Sequence, residues 1–257
     1  MPNPVFHQIN VLGAVLSSTL GNWRGAKALV TNPAQPDLPI RLYEMEGCPF
    51  CRAVREAMTA LHLDVEIYPC PKGGTRFRPE AERIGGKAQF PLLVDPNTNT
   101  VMYESQAIIE YLFQHYGNGK VPSAYQPKTL KIPATSLATL LRGQRGLNVR
   151  PSHAPAKPLN LWSFEASPYS RLVRERLTEL EIPYTLHNVG KERWQDIGPA
   201  ALRLKPGAYE PIAGSKRDAH FKRTGHMQVP YLEDPNSGVT LLESAAIIDY
   251  LEAKYAV

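Results

Sequence analysis

The chain repeats itself, so whatever fold it adopts has to be built twice. Residues 42–55 (LYEMEGCPFCRAVR) return as residues 161–174 (LWSFEASPYSRLVR), 119 positions later. Residues 89–97 (QFPLLVDPN) return as 228–236 (QVPYLEDPN), and residues 104–112 (ESQAIIEYL) as 243–251 (ESAAIIDYL), both 139 positions later. The second copy therefore holds 20 extra residues somewhere between about Gly190 and Lys222. A fainter echo lies upstream: Leu16, Leu20, Arg24 and Gly25 match Leu137, Leu141, Arg145 and Gly146, 121 positions on.

Each copy spells the same order of elements. In the first, residues 40–45 read as a strand of β-branched and aromatic character. Residues 52–63 place Val54, Ala57, Met58 and Leu61 at helical spacing. A strand follows at 65–68 and a short helix at 79–84. Strands at 92–94 and 101–103 flank the turn-rich Asp95-Pro-Asn-Thr-Asn. Residues 105–116 form a helix with Ile108, Ile109, Leu112 and Tyr116 on its apolar side. The order βαβαββα predicts an α/β unit, a small mixed sheet with helices on both faces. The expected division is 1–38 N-terminal helix and linker, 39–118 first domain, 119–158 linker with a short helix, and 159–257 second domain.

Composition narrows the function. Net charge is +5 and acidic residues are mixed among the basic ones, which argues against nucleic acid as a partner. No apolar run is long enough to span a bilayer. Three cysteines are too few for a disulfide scaffold. Residues 11–20 are mostly apolar and no acidic residue precedes Asp37, a pattern shared with targeting segments. Its recurrence in mid-chain favours a structural helix, while the acid-free N-terminus leaves organellar targeting open.

The element order, the Cys48-Pro49-Phe50-Cys51 motif, the Phe90-Pro91 step and the Glu104-Ser105 pair resemble glutaredoxins and glutathione-transferase N-terminal domains. The C-P-F-C spelling is also similar to the type-2 prostaglandin E synthase group. The resemblance covers about residues 39–116 and 159–256. It implies two tandem thioredoxin-like domains and glutathione as co-substrate. It places the cysteinyl backbone of glutathione on the residue before a cis-proline, Phe90 with Pro91, and Val229 with Pro230 in the second copy. The γ-glutamyl end would fall on Glu104 and Ser105, or on Glu243 and Ser244. A complete glutathione transferase continues into an all-helical domain that holds the electrophile. None is expected here after the second copy, which counts against ordinary conjugation.

The motif has its own chemistry. A thiol at a helix N-terminus is stabilised as thiolate by free N–H groups and the helix dipole, which lowers its pKa from about 8.5 to between roughly 3.5 and 7.5. Cys48 then attacks and Cys51, one turn on, resolves. Pro49 suits the first helical turn, and Arg52 or Arg55 could add positive field. Zinc would need about four ligands, and no second C-x-x-C or H-x-x-x-H completes such a site, so no metal is expected. Glu104-Ser105 and Glu243-Ser244 read equally as helix caps or as a carboxylate site. The second copy has Ser167-Pro168-Tyr169-Ser170 and cannot form a disulfide, although the Ser167 hydroxyl could still bond a glutathione sulfur. Cys70 has no counterpart and reads as incidental.

The leading expectation is a glutathione-linked thiol–disulfide oxidoreductase acting on a disulfide or glutathionylated thiol. It would sit in the cytoplasm, where a reducing pool recycles the dithiol. A glutathione-dependent transferase or isomerase and a non-enzymatic redox-sensing scaffold are the alternatives.

Overall fold

A computed structural model describes residues 4–31, 34–127, 136, 142–196, 198 and 208–257. In the first copy β1 (Ile40–Glu44) lies between β2 (Asp64–Pro69), parallel to it, and β3 (Leu92–Asp95), antiparallel; β4 (Thr100–Met102) pairs outside β3. Helices α2 (Pro49–Ala60), α3 (Arg78–Gly85) and α4 (Ser105–Tyr116) follow β1, β2 and β4. The second copy repeats the arrangement with β5 (Leu159–Ser163), α5 (Pro168–Glu179), β6 (Tyr184–Asn188), α6 (Lys216–Thr224), β7 (Tyr231–Asp234), β8 (Val239–Leu242) and α7 (Ser244–Tyr255). The βαβαββα order of a thioredoxin-like unit is present twice. The extra residues of the second copy lie between β6 and α6.

The central strands are apolar because both their faces are covered. Leu42 and Ile40 of β1 join Val54, Met58, Leu61, Ile108 and Leu112 in one wholly buried core, which runs on into Leu159, Leu161, Val173 and Leu232 of the second copy. α2 begins at Pro49, three residues ahead of its apolar periodicity. The reason is local: Cys48 takes an extended N-cap conformation (φ −79°, ψ 122°), and proline at the first helical position is already set for helix.

The two copies are not beads on a linker. In this topology β2 is the outer strand of its unit and would expose a row of unpaired N–H and C=O groups. It pairs instead with β6, its own equivalent, antiparallel from Asp64–His187 to Ile67–Tyr184. The result is one eight-stranded sheet, β4-β3-β1-β2-β6-β5-β7-β8, with approximate two-fold symmetry.

Two straps reinforce the join. Ala166 N–H donates to the Gly25 carbonyl (3.1 Å), and Gly47 N–H donates to the Gly146 carbonyl (3.0 Å). Each strap thus binds the copy other than the one it leads into. Gly25 and Gly146 have positive φ (73° and 69°), and a Cβ would lie 2.6 Å from that of Glu165 or 3.0 Å from that of Glu46. This is the physical content of the faint Arg-Gly echo. The segment read as a linker is therefore built into the first copy at residues 145–149, where Lys72 N–H also donates to Leu147 and Val149 N–H to Lys72.

The N-terminal helix α1 (Pro4–Leu20) lies on α5, with Val11 and Ala14 buried against Leu172. The short helix expected within 119–158 falls largely outside the described residues.

Candidate active site

The chain leaves β1 at Glu44 and turns into α2, with Cys48 N–H donating to the Met45 carbonyl at 3.0 Å. Cys48 caps the helix through sulfur: its Sγ accepts from Cys51 N–H at 3.4 Å. The two thiols are free and unequal. Cys48 sits at the surface edge, 9% exposed, whereas Cys51 is completely buried. The Cys51 thiol donates to the Cys48 sulfur, the N–H groups of Cys51 and Phe50 point at it, and Arg55 adds positive charge. Together these outweigh burial and lower Cys48 to about 7. Burial, with the charge of a Cys48 thiolate beside it, drives Cys51 well above the ordinary thiol range. The site thus holds one thiol poised to ionise and one kept protonated.

A direct measurement follows. The thiolate is the reactive form, so the alkylation rate of Cys48 by iodoacetamide rises with pH through a midpoint near 7 and levels off above it. A midpoint at 8.5 or higher would mean that the helix start does not activate this sulfur. Cys70, buried and pushed up by that burial, stays unreactive over the same range.

Arg52 and Arg55 were expected to supply field. The structure turns both into the join between the copies, where each is held by buried ion pairs. Arg52 Nε donates to Glu56 (3.0 Å) and its Nη1 to the Ser17 hydroxyl (3.1 Å). Arg55 bonds Glu44, lies 3.0 Å from Glu46, and donates to Glu165 of the second copy at 2.9 Å. The equivalent Arg174 reaches back to Glu46 (2.9 and 3.0 Å) and lies 3.1 Å from Glu165. Four side chains thus form a closed, buried ring across the pseudo-two-fold axis. Arg55 retains a small influence on Cys48, the least of the causes acting on that thiol; Arg52 has none among them.

The other candidate residues lie on two loops. The Phe90-Pro91 and Val229-Pro230 bonds are both cis. Arg78 of α3 stacks over the Phe90 ring, 4.8 Å from its centre. Glu104 and Glu243 are the N-caps of α4 and α7, yet neither makes a side-chain cap bond, and Ser105 and Ser244 are the first helical residues. Capping therefore does not explain the pair. Both glutamates have positive φ (69° and 74°), a conformation costing roughly 1–3 kcal/mol outside glycine. Their carboxylates accept from Gln89 (2.6 Å) and from Gln228. These glutamines tie the cis-proline loop to the start of the next helix in both copies. They stand in both repeats, as QFP and QVP, and that recurrence was the signal for them.

The second copy differs at its centre. Ser167 caps α5 as Cys48 caps α2, accepting from Ser170 N–H (3.3 Å), and it also accepts from the Ser170 hydroxyl (2.9 Å). Ser244 Oγ lies 3.1 Å from His7 Nε2 of α1, so the N-terminal helix rests on this copy's helix start. No sequence pattern pointed to His7.

Fold and site together define a thioredoxin-like protein with one dithiol helix start and one hydroxyl copy of it. The glutathione S-transferase N-terminal domain matches residues 42–122 and again 161–257, most of the chain, and the chain belongs to that family. It is 33% identical over 82 residues to the glutathione S-transferase-like protein tpcF of Aspergillus fumigatus, a match covering 32% of this chain and 36% of that protein. Among solved structures it is similar to the Bombyx mori glutathione transferase BmGSTD1 (29% identity, 33% of this chain and 39% of that one, TM-score 0.29). It is also similar to a Nilaparvata lugens delta-class glutathione transferase (33% identity, 35% and 40%, TM-score 0.29). The chain thus spans well under half the length of these relatives. Among the described residues no helix is long and apolar enough to cross a membrane.

Proposed function

We propose that this protein is a glutathione-linked thiol–disulfide oxidoreductase working through Cys48 and Cys51. The observation that carries the reading is the inequality of the two thiols, an activated sulfur at the rim and a buried protonated one behind it. The Cys48 thiolate attacks a glutathionylated substrate, forming a Cys48–glutathione disulfide and releasing the substrate thiolate. Cys51 then attacks Cys48 Sγ and expels glutathione, leaving an internal disulfide that two further glutathiones reduce to dithiol and glutathione disulfide. Alternatively a second glutathione attacks the mixed disulfide directly.

Glutathione is held in the first copy, its cysteinyl backbone along Phe90 at the cis-Pro91 loop and its γ-glutamyl end at the N-terminus of α4, the carboxylate accepting from Ser105 and the ammonium donating to the Glu104 carboxylate. A helix N-terminus favours such a carboxylate, and the uncapped start of α4 agrees with this use. The second copy has hydroxyls for thiols and its Ser244 beside His7, so Val229, Pro230, Glu243 and Ser244 serve architecture there. Its Ser167 belongs to the same packing. A reducing, cytoplasmic pool would recycle the dithiol.

The test is reduction of a mixed disulfide between glutathione and a small thiol, with glutathione as reductant. Turnover proportional to protein supports the reading. No turnover, with conjugation of glutathione to an electrophile instead, would replace it by the transferase reading that the relatives' names suggest. Equilibrium dialysis adds a second check: one glutathione binds per chain. Ser105→Ala weakens binding by about tenfold, the loss of one charge-assisted hydrogen bond, and Ser244→Ala leaves it within about twofold. Two equal sites would refute the assignment to the first copy.

A further inference from the structure

The arginine of each strap meets a glutamate of the following helix, and the two meetings are built differently. In the first copy Arg24 is fully used: its Nε lies 3.0 Å from Glu56 of α2, and its Nη1 donates to the Ala124 carbonyl at 3.1 Å. Glu56 there serves Arg24 and Arg52 together. Tyr125, buried with its ring 5.2 Å from that of Phe113, closes this corner of the join.

In the second copy one sequence difference breaks that arrangement. Arg145 is the counterpart of Arg24 and Glu175 that of Glu56, but Arg142 stands where the chain before the first copy has Gly21. Arg142 takes the Glu175 carboxylate through two bonds, at 2.8 and 2.7 Å, and Arg171 donates to it at 3.3 Å. Arg145 is thereby left without a carboxylate. Its guanidinium stands 5.5 Å from the centre of the Phe6 ring and makes no hydrogen bond or ion pair among the described residues.

Arg145 lines a cavity of about 100 Å³ between α1, α5 and α7, whose apolar wall is Phe6, Leu172 and Ile248. Phe6 is half-exposed, so a small solute can reach the cavity. The carboxylates on its lining are already engaged: Glu175 by Arg142 and Arg171, and Glu179 by the Gly146 N–H and by Arg176, each at 3.0 Å. Arg176 lines the cavity too, and its Nε is buried without a hydrogen-bond partner. The cavity follows the second and third turns of α5, beyond the helix start that Ser167 caps.

We propose that this cavity binds a small organic monocarboxylate, a short-chain acid, with Arg145 as the group that recognises it. The planar fork of a guanidinium matches the two oxygens of a carboxylate, and the alkyl tail packs on Leu172 and Ile248 as ligands pack on apolar pocket walls. Charge fixes the class. One unpaired cation balances one negative charge, whereas a dianion such as phosphate would meet Glu175 and Glu179 with nothing further to offset them. Size agrees, since a water takes about 30 Å³ of the liquid and the cavity therefore has room for only a few heavy atoms. The matching corner on α2 takes no such ligand, because Arg24 is bonded to Glu56 and Tyr125 fills the space.

The experiment is a titration of the full-length protein with sodium propionate at constant ionic strength, followed by calorimetry and by broadening of the propionate proton resonances. One saturable site per chain is expected, with a dissociation constant on the order of 1 mM. Arg145→Gln weakens binding by about tenfold or more, the loss of a charge-assisted pair. It melts within a few degrees of wild type, because the side chain gives up no hydrogen bond. Arg142→Gly installs the residue found before the first copy, frees Glu175 to pair with Arg145, and lowers the affinity with Arg145 still in place. No saturation by about 50 mM, or affinities within about twofold of wild type in both variants, overturns the proposal. Displacement of propionate by an equal concentration of inorganic phosphate would make the cavity a phosphate site, and displacement by glutathione would make it part of a glutathione site. Either result overturns the proposal as well.

Discussion

Replacing Arg174 with methionine lowers the stability of the folded chain by about 3–5 kcal/mol, the loss expected when one partner of a buried ion pair is removed. Arg174 is completely buried and donates to Glu46, Ser163, and the carbonyls of Phe164 and Glu165. Without it, the completely buried Glu46 and the nearly buried Glu165 keep Arg55 as their close partner, with Arg171 and Arg52 each 3.9 Å away. The penalty is that of stranded charge rather than of a lost bond, so it shrinks when a partner is removed as well. Arg174→Met combined with Glu46→Gln costs less than the sum of the single changes, a coupling of about 0.5–3 kcal/mol between contacting residues. Urea unfolding of the four proteins of this cycle measures both quantities. A loss below about 1 kcal/mol for Arg174→Met, or strict additivity, would show that the ring is solvated and does not hold the copies together.

That ring marks the boundary of what the sequence disclosed. The repeat, the strand and helix order, and the positions of Cys48, Pro91 and Pro230 could be read because each depends on local pattern: apolar period, proline chemistry, or recurrence at a fixed offset. Arg52 and Arg55 were read by nearness in sequence to Cys48, whereas α2 carries them toward Glu165, 110 or more residues away. The pairing of β2 with β6 left no trace either, because sheet edges join through backbone groups that every strand possesses. Gly25 and Gly146 were noticed only as an echo, and their meaning needed the close approach of Glu165 and Glu46. His7 reaches Ser244 across 237 residues, a contact for which a single sequence holds no signal.

Cys48→Ser abolishes glutathione-dependent disulfide reduction, by on the order of 10³-fold or more, while leaving the fold intact. The second copy already demonstrates the structural half of this expectation. Ser167 occupies the matching N-cap, with the same extended backbone (φ −66°, ψ 116°) and the same bond from the residue three positions on. Serine therefore starts this helix as well as cysteine does, and the loss is one of chemistry. At pH 7 a thiol lowered to about 7 is roughly half thiolate, whereas a serine hydroxyl supplies almost no anion. Cys51→Ser behaves differently. The Cys48 thiolate still forms the mixed disulfide, and a second glutathione can release it, so glutathionylated substrates are still turned over while an internal disulfide cannot form. Thermal melting of both variants alongside the activity assay separates the effects: Cys48→Ser melts within a few degrees of wild type and is inactive. Should Cys48→Ser keep more than about a tenth of the activity, the nucleophile lies elsewhere. Should Cys51→Ser be as inactive as Cys48→Ser, the reaction depends on the internal disulfide, and the route through a second glutathione is closed.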